Sequence, residues 1–176
     1  MNITNVETER KYLIRFPDLA YLRSIAGCRE MAMVQTYLER KEPEVERRVR
    51  SITENGGTVY IYTEKRPRAY LSRFEDEREV TREEYERLRK EDGYSELVKT
   101  RYAFPFAGHT MEIDVYPPDI GGDVMAGYAI LEVEMSDPDE TVEFPEFLEI
   151  VREVTDEKKY HNKTLAKLMA KSLFSI

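Results

Sequence analysis

The chain has 176 residues, 41% of them apolar and 35% charged, with 35 acids against 27 Lys and Arg and a net charge of −8. That length suits one domain over residues 1–176, and the acidic balance argues against a broad nucleic-acid or anionic-membrane surface while leaving room for a local basic pocket. The single cysteine, Cys28, excludes a disulfide within this chain and reads as a small packing residue; with no apolar stretch of membrane-spanning length, a cytoplasmic protein without nucleic-acid or membrane partners is expected.

The first predicted strand is Val6 to Ile14 (VETERKYLI), where Glu7, Glu9 and Lys11 recur at every second position and so share one face. Phe16 to Ala26 reads as a short helix, with Pro17 in its first turn and Gly27 as its stop. Strands are expected at Met33–Arg40 and Glu46–Ile52. The Glu54–Gly57 turn signal then leads into Val59–Lys65, and a further strand lies within Ala69–Val80. Thr81 and Glu84 form a capping box opening a helix that Gly93 ends, with a thin apolar stripe of Tyr85 and Leu88 that suits a helix lying across a surface. Strands Ser95–Phe104 and His109–Tyr116 follow, then a loop from Pro117 to Gly127 and a strand from Tyr128 to Met135. Phe144–Val154 and Lys163–Ser172 carry helical periodicity. About eight strands joined by turns and short helices predict a mainly antiparallel sheet, sandwich or barrel.

The charges on these strands fall at matching parity. Four acid pairs at spacing two (Glu7/Glu9, Glu75/Glu77, Glu112/Asp114, Glu132/Glu134) accompany seven bases: Lys11, Arg48, Arg50, Lys65, Arg73, Lys99 and Arg101. The opposite faces carry Val49, Tyr60, Tyr62, Tyr102, Ile113, Leu131 and Val133. On one strand this is ordinary amphipathic alternation with a solvated face. Paired acids on strand after strand repel unless cations or bases lie between them. A sheet closed with this face inward encloses a charged tunnel, and oxygen donors in pairs suit Mg²⁺ or Mn²⁺ while fixed Arg and Lys suit phosphate oxygens. The implied guest is a compact polyanion bound with its metal. His109, at a turn, and His161, in the C-terminal connection, have no partner at ligand spacing and read as non-catalytic.

In order along the chain, ExExK (Glu7, Glu9, Lys11), QxYL (Gln35, Tyr37, Leu38), RxR (Arg48, Arg50), Lys65, ExE (Glu75, Glu77), KTRY from Lys99, EIDVY from Glu112, EVE from Glu132 and the C-terminal TDEKKYHN resemble the CYTH superfamily, the triphosphate tunnel metalloenzymes. The resemblance implies an α+β fold: an eight-stranded antiparallel closed barrel, helices outside, and a C-terminal helix closing one end. It implies Mg²⁺ or Mn²⁺ held by Glu7, Glu9, Glu132 and Glu134 with Asp114 beside them. It places phosphates on Lys11, Arg48, Arg50, Lys65, Lys99, Arg101 and Arg73. Glu75 and Glu77 would hold a second metal or orient water, and Lys65 would transfer a proton or simply contact phosphate. On this reading Glu7 and Glu9 face Glu132 and Glu134 across the barrel with a metal between them, and Lys11 points at the phosphate. The short complete framework looks most like bacterial inorganic triphosphatases, with a homodimer as the oligomer such enzymes allow. Thiamine triphosphate hydrolysis, cyclisation of ATP and non-catalytic polyphosphate or nucleotide sensing are the alternatives; the absence of Trp weighs against a thiamine platform.

Overall fold

A computed structural model describes residues 3–69, 71–118 and 124–173. Tyr70 and residues 119–123 of the Pro117–Gly127 loop lie outside the described residues. The chain runs β1 (Ile3–Arg15), α1 (Leu19–Ser24), β2 (Arg29–Leu38), β3 (Glu46–Glu54), β4 (Gly57–Ala69), β5 (Ser72–Glu79), α2 (Arg82–Asp92), β6 (Gly93–Phe106), β7 (His109–Val115), β8 (Tyr128–Glu134), β9 (Ile150–Glu153) and α3 (Asn162–Leu173). The sheet order is β5-β4-β3-β2-β6-β7-β8-β1-β9, and a further β5–β1 pairing closes strands β1 to β8 into a ring. All pairings are antiparallel. The expected eight-stranded antiparallel barrel is therefore present.

β1 is the seam. Its first half, Ile3 to Thr8, pairs with β5, while Glu9 to Arg15 pairs with β8. The short β9 joins β1 beyond β5, with Tyr12 opposite Glu153. This corrects the helix expected over Phe144–Val154: the segment makes a turn and then a strand. Its apolar spacing imitates a helix, but the free edge of β1 offers the β-branched Ile150 and Val151 a ladder, and tertiary pairing wins over local pattern.

The local signals behave as their chemistry requires. Asn55 and Gly56 take φ of 50° and 79°, the left-handed pair a two-residue hairpin needs. The Thr81 hydroxyl accepts from the Glu84 amide, as a cap should, but the Glu84 carboxylate turns to Arg78 instead of completing the box. Gly93 has an ordinary φ of −70°. Its role is close approach: a Cβ there would meet the Arg89 carbonyl at 2.3 Å and Thr36 Cγ2 at 2.9 Å.

Apolar side chains occupy three places. Outside β1, β6, β7 and β8, residues such as Tyr12, Ile14, Tyr102, Ile113 and Leu131 are covered by Leu22 of α1 and Leu148. Outside β3 and β4, Tyr85 and Leu88 of α2 cover Val49, Tyr60 and Tyr62. Inside, the lumen-facing parity turns apolar at both ends. Leu13, Tyr37, Leu97, Tyr116 and Ile130 form one plug beneath Leu165 and Ala166 of α3, while Met31, Met33, Ala103 and Ile52 form the other. The charged positions lie between the plugs. No described helix is long and apolar enough to cross a membrane.

Candidate active site

All eight barrel strands contribute to one cavity of about 280 Å³ between the plugs. Period-two geometry aims alternate side chains inward, so Glu7, Glu9 and Lys11 of β1 meet Arg48 and Arg50 of β3, Lys65 of β4 and Glu75 and Glu77 of β5. Lys99 and Arg101 of β6 and Glu132 and Glu134 of β8 complete the expected set. Asn5, Gln35, Glu112 and Asn162 also line it. Glu112 shares the charged face but was assigned no role. Gln35 belongs to the QxYL element, Asn162 precedes the last helix, and Asn5 lies two residues before Glu7 at the same parity; none carries a charge to mark it.

Two expected members are elsewhere. Arg73 lies at the start of β5, opposite Glu7 in register, and lines a second cavity instead. The β4–β5 turn explains this: register slips between Pro67 and Ala69, Leu71 takes φ of 61°, and the strand is only entering the barrel at Arg73. Asp114 has 0% exposure and lies behind Lys99 and Arg101, which it holds by Lys99 Nζ, Arg101 Nε (2.7 Å) and Arg101 Nη2 (2.8 Å). It supports two bases.

The facing of the acids also differs from expectation. β1 and β8 are hydrogen-bonded neighbours, so Glu9 is directly opposite Glu134 and Lys11 directly opposite Glu132. The two acid pairs lie side by side along the seam, because ring closure makes the first long strand the neighbour of the eighth. Lys11 donates to Glu132 and lies 3.0 Å from Glu9, within the acid pairs.

Every cavity base is held by a carboxylate. Arg48 pairs with Glu75 at 3.1 Å, Arg50 with Glu77, and Lys65 with Glu7 and, at 3.2 Å, Glu75. Arg101 spans Glu112, Asp114 and Glu132, separating Glu112 from Glu132 where register sets them opposite. Lys65 therefore sits between acids and not in a cationic setting. Lys99 has that setting: burial and neighbouring Arg101 bring it down to about 8 against the pull of Asp114. Burial and Arg48 bring Arg50 down to about 10. Burial works to raise Glu132, but Lys11 and Arg101 hold it well below the usual carboxylate range.

Glu134 is the exception. Among the described residues it has no base within ion-pair distance, and burial together with Glu7, Glu75 and Glu9 pushes its carboxyl up. Positive charge is short at this point of the seam. No three acids, His or Cys converge there on one point among the described residues, since Lys65 draws Glu7 and Lys11 draws Glu9. The donors nonetheless fit a hard divalent cation in type: carboxylates, crowded, with one uncompensated.

Asn162, at the start of α3, accepts from Tyr116 at 2.7 Å and lies 3.4 Å from Glu132, tying the closing helix to the charged belt. His161 Nε2 donates to the Thr155 carbonyl, His109 Nε2 lies 3.1 Å from a Glu140 carboxylate oxygen, and neither histidine lines the belt. Beside the belt, a larger cavity of about 940 Å³ opens between the β2–β3 connection, the β4–β5 turn and residues 155–167.

No protein-family model matches the chain, and no curated protein matches it by sequence. Solved structures do. The inorganic triphosphatase NE1496 is 28% identical, with a TM-score of 0.56 over 91% of this chain and 97% of its own. PH1819 from Pyrococcus horikoshii OT3 is 18% identical, with a TM-score of 0.54 over 96% of this chain and 89% of its own. The protein bh2851 of Bacillus halodurans, described as a candidate adenylate cyclase, is 13% identical, with a TM-score of 0.52 over 77% of this chain and 83% of its own. The last two share the fold alone. The closed eight-stranded barrel, the inward charges, the helix at one end and the likeness to NE1496 agree with the resemblance to the CYTH superfamily, the triphosphate tunnel proteins.

Proposed function

We propose that this protein hydrolyses a triphosphate in a divalent-metal-dependent reaction, with inorganic triphosphate the substrate and diphosphate and orthophosphate the products. The carrying observation is the composition of the lumen. Seven acids (Glu7, Glu9, Glu75, Glu77, Glu112, Glu132, Glu134) line it with six bases (Lys11, Arg48, Arg50, Lys65, Lys99, Arg101), and the bases are already engaged. A bare polyanion entering such a space meets net negative charge. Mg²⁺ or Mn²⁺ would be held by Glu7, Glu9 and Glu134 and would offset that charge, while Lys11, still paired with Glu132, and Lys65, still paired with Glu75, each keep ammonium donors for phosphate oxygens. The likeness to NE1496, an inorganic triphosphatase 28% identical over 91% of this chain, supports the same reading.

When bound, the metal supplies Lewis-acid stabilisation of charge on the transferring phosphoryl group. The remaining work falls to the chain's own groups. Arg48, Arg50 and Arg101, fixed by Glu75, Glu77 and Asp114, present preorganised donors to the phosphate oxygens. On this reading Glu75 and Glu77 orient water for in-line attack, and Lys65, between Glu7 and Glu75, contacts phosphate or passes a proton. The apolar plugs bound the volume in which water can reach the phosphorus.

The test is a product assay with Mg²⁺ or Mn²⁺ on inorganic triphosphate, ATP and thiamine triphosphate. Orthophosphate released fastest from inorganic triphosphate is expected. Cyclic AMP from ATP would assign the lumen to a cyclase, and faster release from thiamine triphosphate would change the substrate. No release from any of them would leave a sensor.

A further inference from the structure

We propose that the outer wall around Tyr21 and Phe147 is a docking surface for a cationic segment of another protein, one that presents arginine beside an apolar side chain. The surface lies where α1 meets the chain between β8 and β9. Tyr21 is 49% exposed and Phe147 41%, and their rings pack with centroids 4.8 Å apart. Phe147 also reaches the buried Phe104, at 6.0 Å, so the pair is anchored on the core while much of it faces solvent. The exposed Phe16 stands just before α1, and the Arg15 amide ahead of it donates to the Glu149 carbonyl, two residues beyond Phe147. Grouped exposed aromatics on a chain that is 35% charged mark a contact surface.

Two independent observations give the sign of what it contacts. The first is charge. Residues 136–149 carry six acids (Asp137, Asp139, Glu140, Glu143, Glu146 and Glu149) and no Lys or Arg. Glu140 is met by His109 and Glu149 by Arg15. Glu143 and Glu146, the two acids nearest before Phe147, are exposed and, among the described residues, have no base within ion-pair distance.

The second is the rings themselves. Tyr62, Tyr85, Tyr102, Tyr128 and Tyr160 each carry an arginine guanidinium 4.8–5.7 Å from the ring centroid. Among the described residues Tyr21 and Phe147 carry none. The cations closest to Tyr21 in the chain are engaged elsewhere, Arg23 with Glu30 and Tyr102, Arg15 with Glu149 and Tyr128. An uncovered ring in an uncompensated negative field attracts a guanidinium, and the exposed ring carbons favour an apolar side chain next to it.

The same acids repel nucleic acid and an anionic membrane, and set face to face they repel a second copy of this surface. None of Tyr21, Phe147, Glu143 and Glu146 lines the lumen or the larger cavity at its mouth, so a docked segment leaves the reaction space open.

The experiment measures the fluorescence anisotropy of a labelled peptide alternating arginine and leucine, against one alternating glutamate and leucine, at low and physiological salt. The arginine peptide is expected to bind the wild type, and the glutamate peptide is not. Tyr21→Ala should weaken the arginine peptide by about tenfold, and Glu143→Gln/Glu146→Gln by about fivefold with a shallower salt dependence. Glu83→Gln/Glu86→Gln, the same loss of charge on α2, should change binding by less than about twofold. All these side chains are exposed, so the circular dichroism spectra should match the wild type. No binding of the arginine peptide, equal binding of the two peptides, or equal losses in the surface and α2 variants would overturn the docking surface.

Discussion

The charged belt and the apolar plugs are built from the same strands and the same inward parity, yet they solve opposite problems. On β6, Leu97 belongs to one plug, Lys99 and Arg101 to the belt and Ala103 to the other plug. On β1, Glu7 to Lys11 give way to Leu13, and on β8 Glu132 gives way to Ile130. In a plug, burial is favourable of itself. In the belt, each charge withdrawn from water must find an opposite charge, and the result is a lattice in which Arg101 alone holds three carboxylates. Apolar burial favours folding at the ends of the lumen, whereas its middle holds charges that must be paired. Changes on one inward face should separate into two classes.

The largest expected effect tests the belt. Glu9→Gln and Lys11→Ala should each lower kcat/KM for inorganic triphosphate by about a hundredfold or more, with an unchanged circular dichroism spectrum, because each removes charge from where charge develops. Near-normal turnover in either would remove that residue from the reaction. Chelation with EDTA should abolish turnover, and added Mg²⁺ or Mn²⁺ should restore it; full activity in EDTA would refute the metal. Arg101→Met should cost about 3–5 kcal/mol in denaturant unfolding, since it strips a buried pairing partner from Glu112 and Glu132. A neutral result would show that the belt contributes no stability through Arg101.

Leu97→Ala tests the plug. It should cost about 2–5 kcal/mol while leaving turnover per folded molecule near the wild-type value. If turnover fell with stability intact, the plug and belt would not be separable. Thr81→Ala, outside both, should remove one cap hydrogen bond and about 1 kcal/mol without altering kinetics.

Much of this was legible in the sequence because period-two alternation reports facing directly: Glu7, Glu9, Lys11, Arg48, Arg50, Lys99 and Arg101 were placed by parity. Parity reports a face and not a depth. Arg73 shares the parity of Glu75 and Glu77 but stands at the mouth, and Asp114 shares that of Glu112 but is buried behind bases. Neighbour relations were also beyond reach, since ring closure and not chain order puts Glu9 opposite Glu134. The segment ending in β9 misled because its strand is defined by the edge it joins. Gln35 and Asn162 left no charge signal to follow, and their place follows only from the fold.

The seam at β1 has a consequence for how the molecule assembles. Glu9 meets Glu134 and Tyr12 meets Glu153, so the opening strand must wait for partners more than a hundred positions away in the chain. Hairpins such as β3–β4 and β6–β7 form from local pieces, whereas the ring closes late and against loop entropy. Until it closes there is no lumen, and Glu7, Glu9 and Lys11 hang from an unpaired edge. Recovery of catalysis after dilution from denaturant should therefore lag behind recovery of strand signal, with β1 the last strand to take its place.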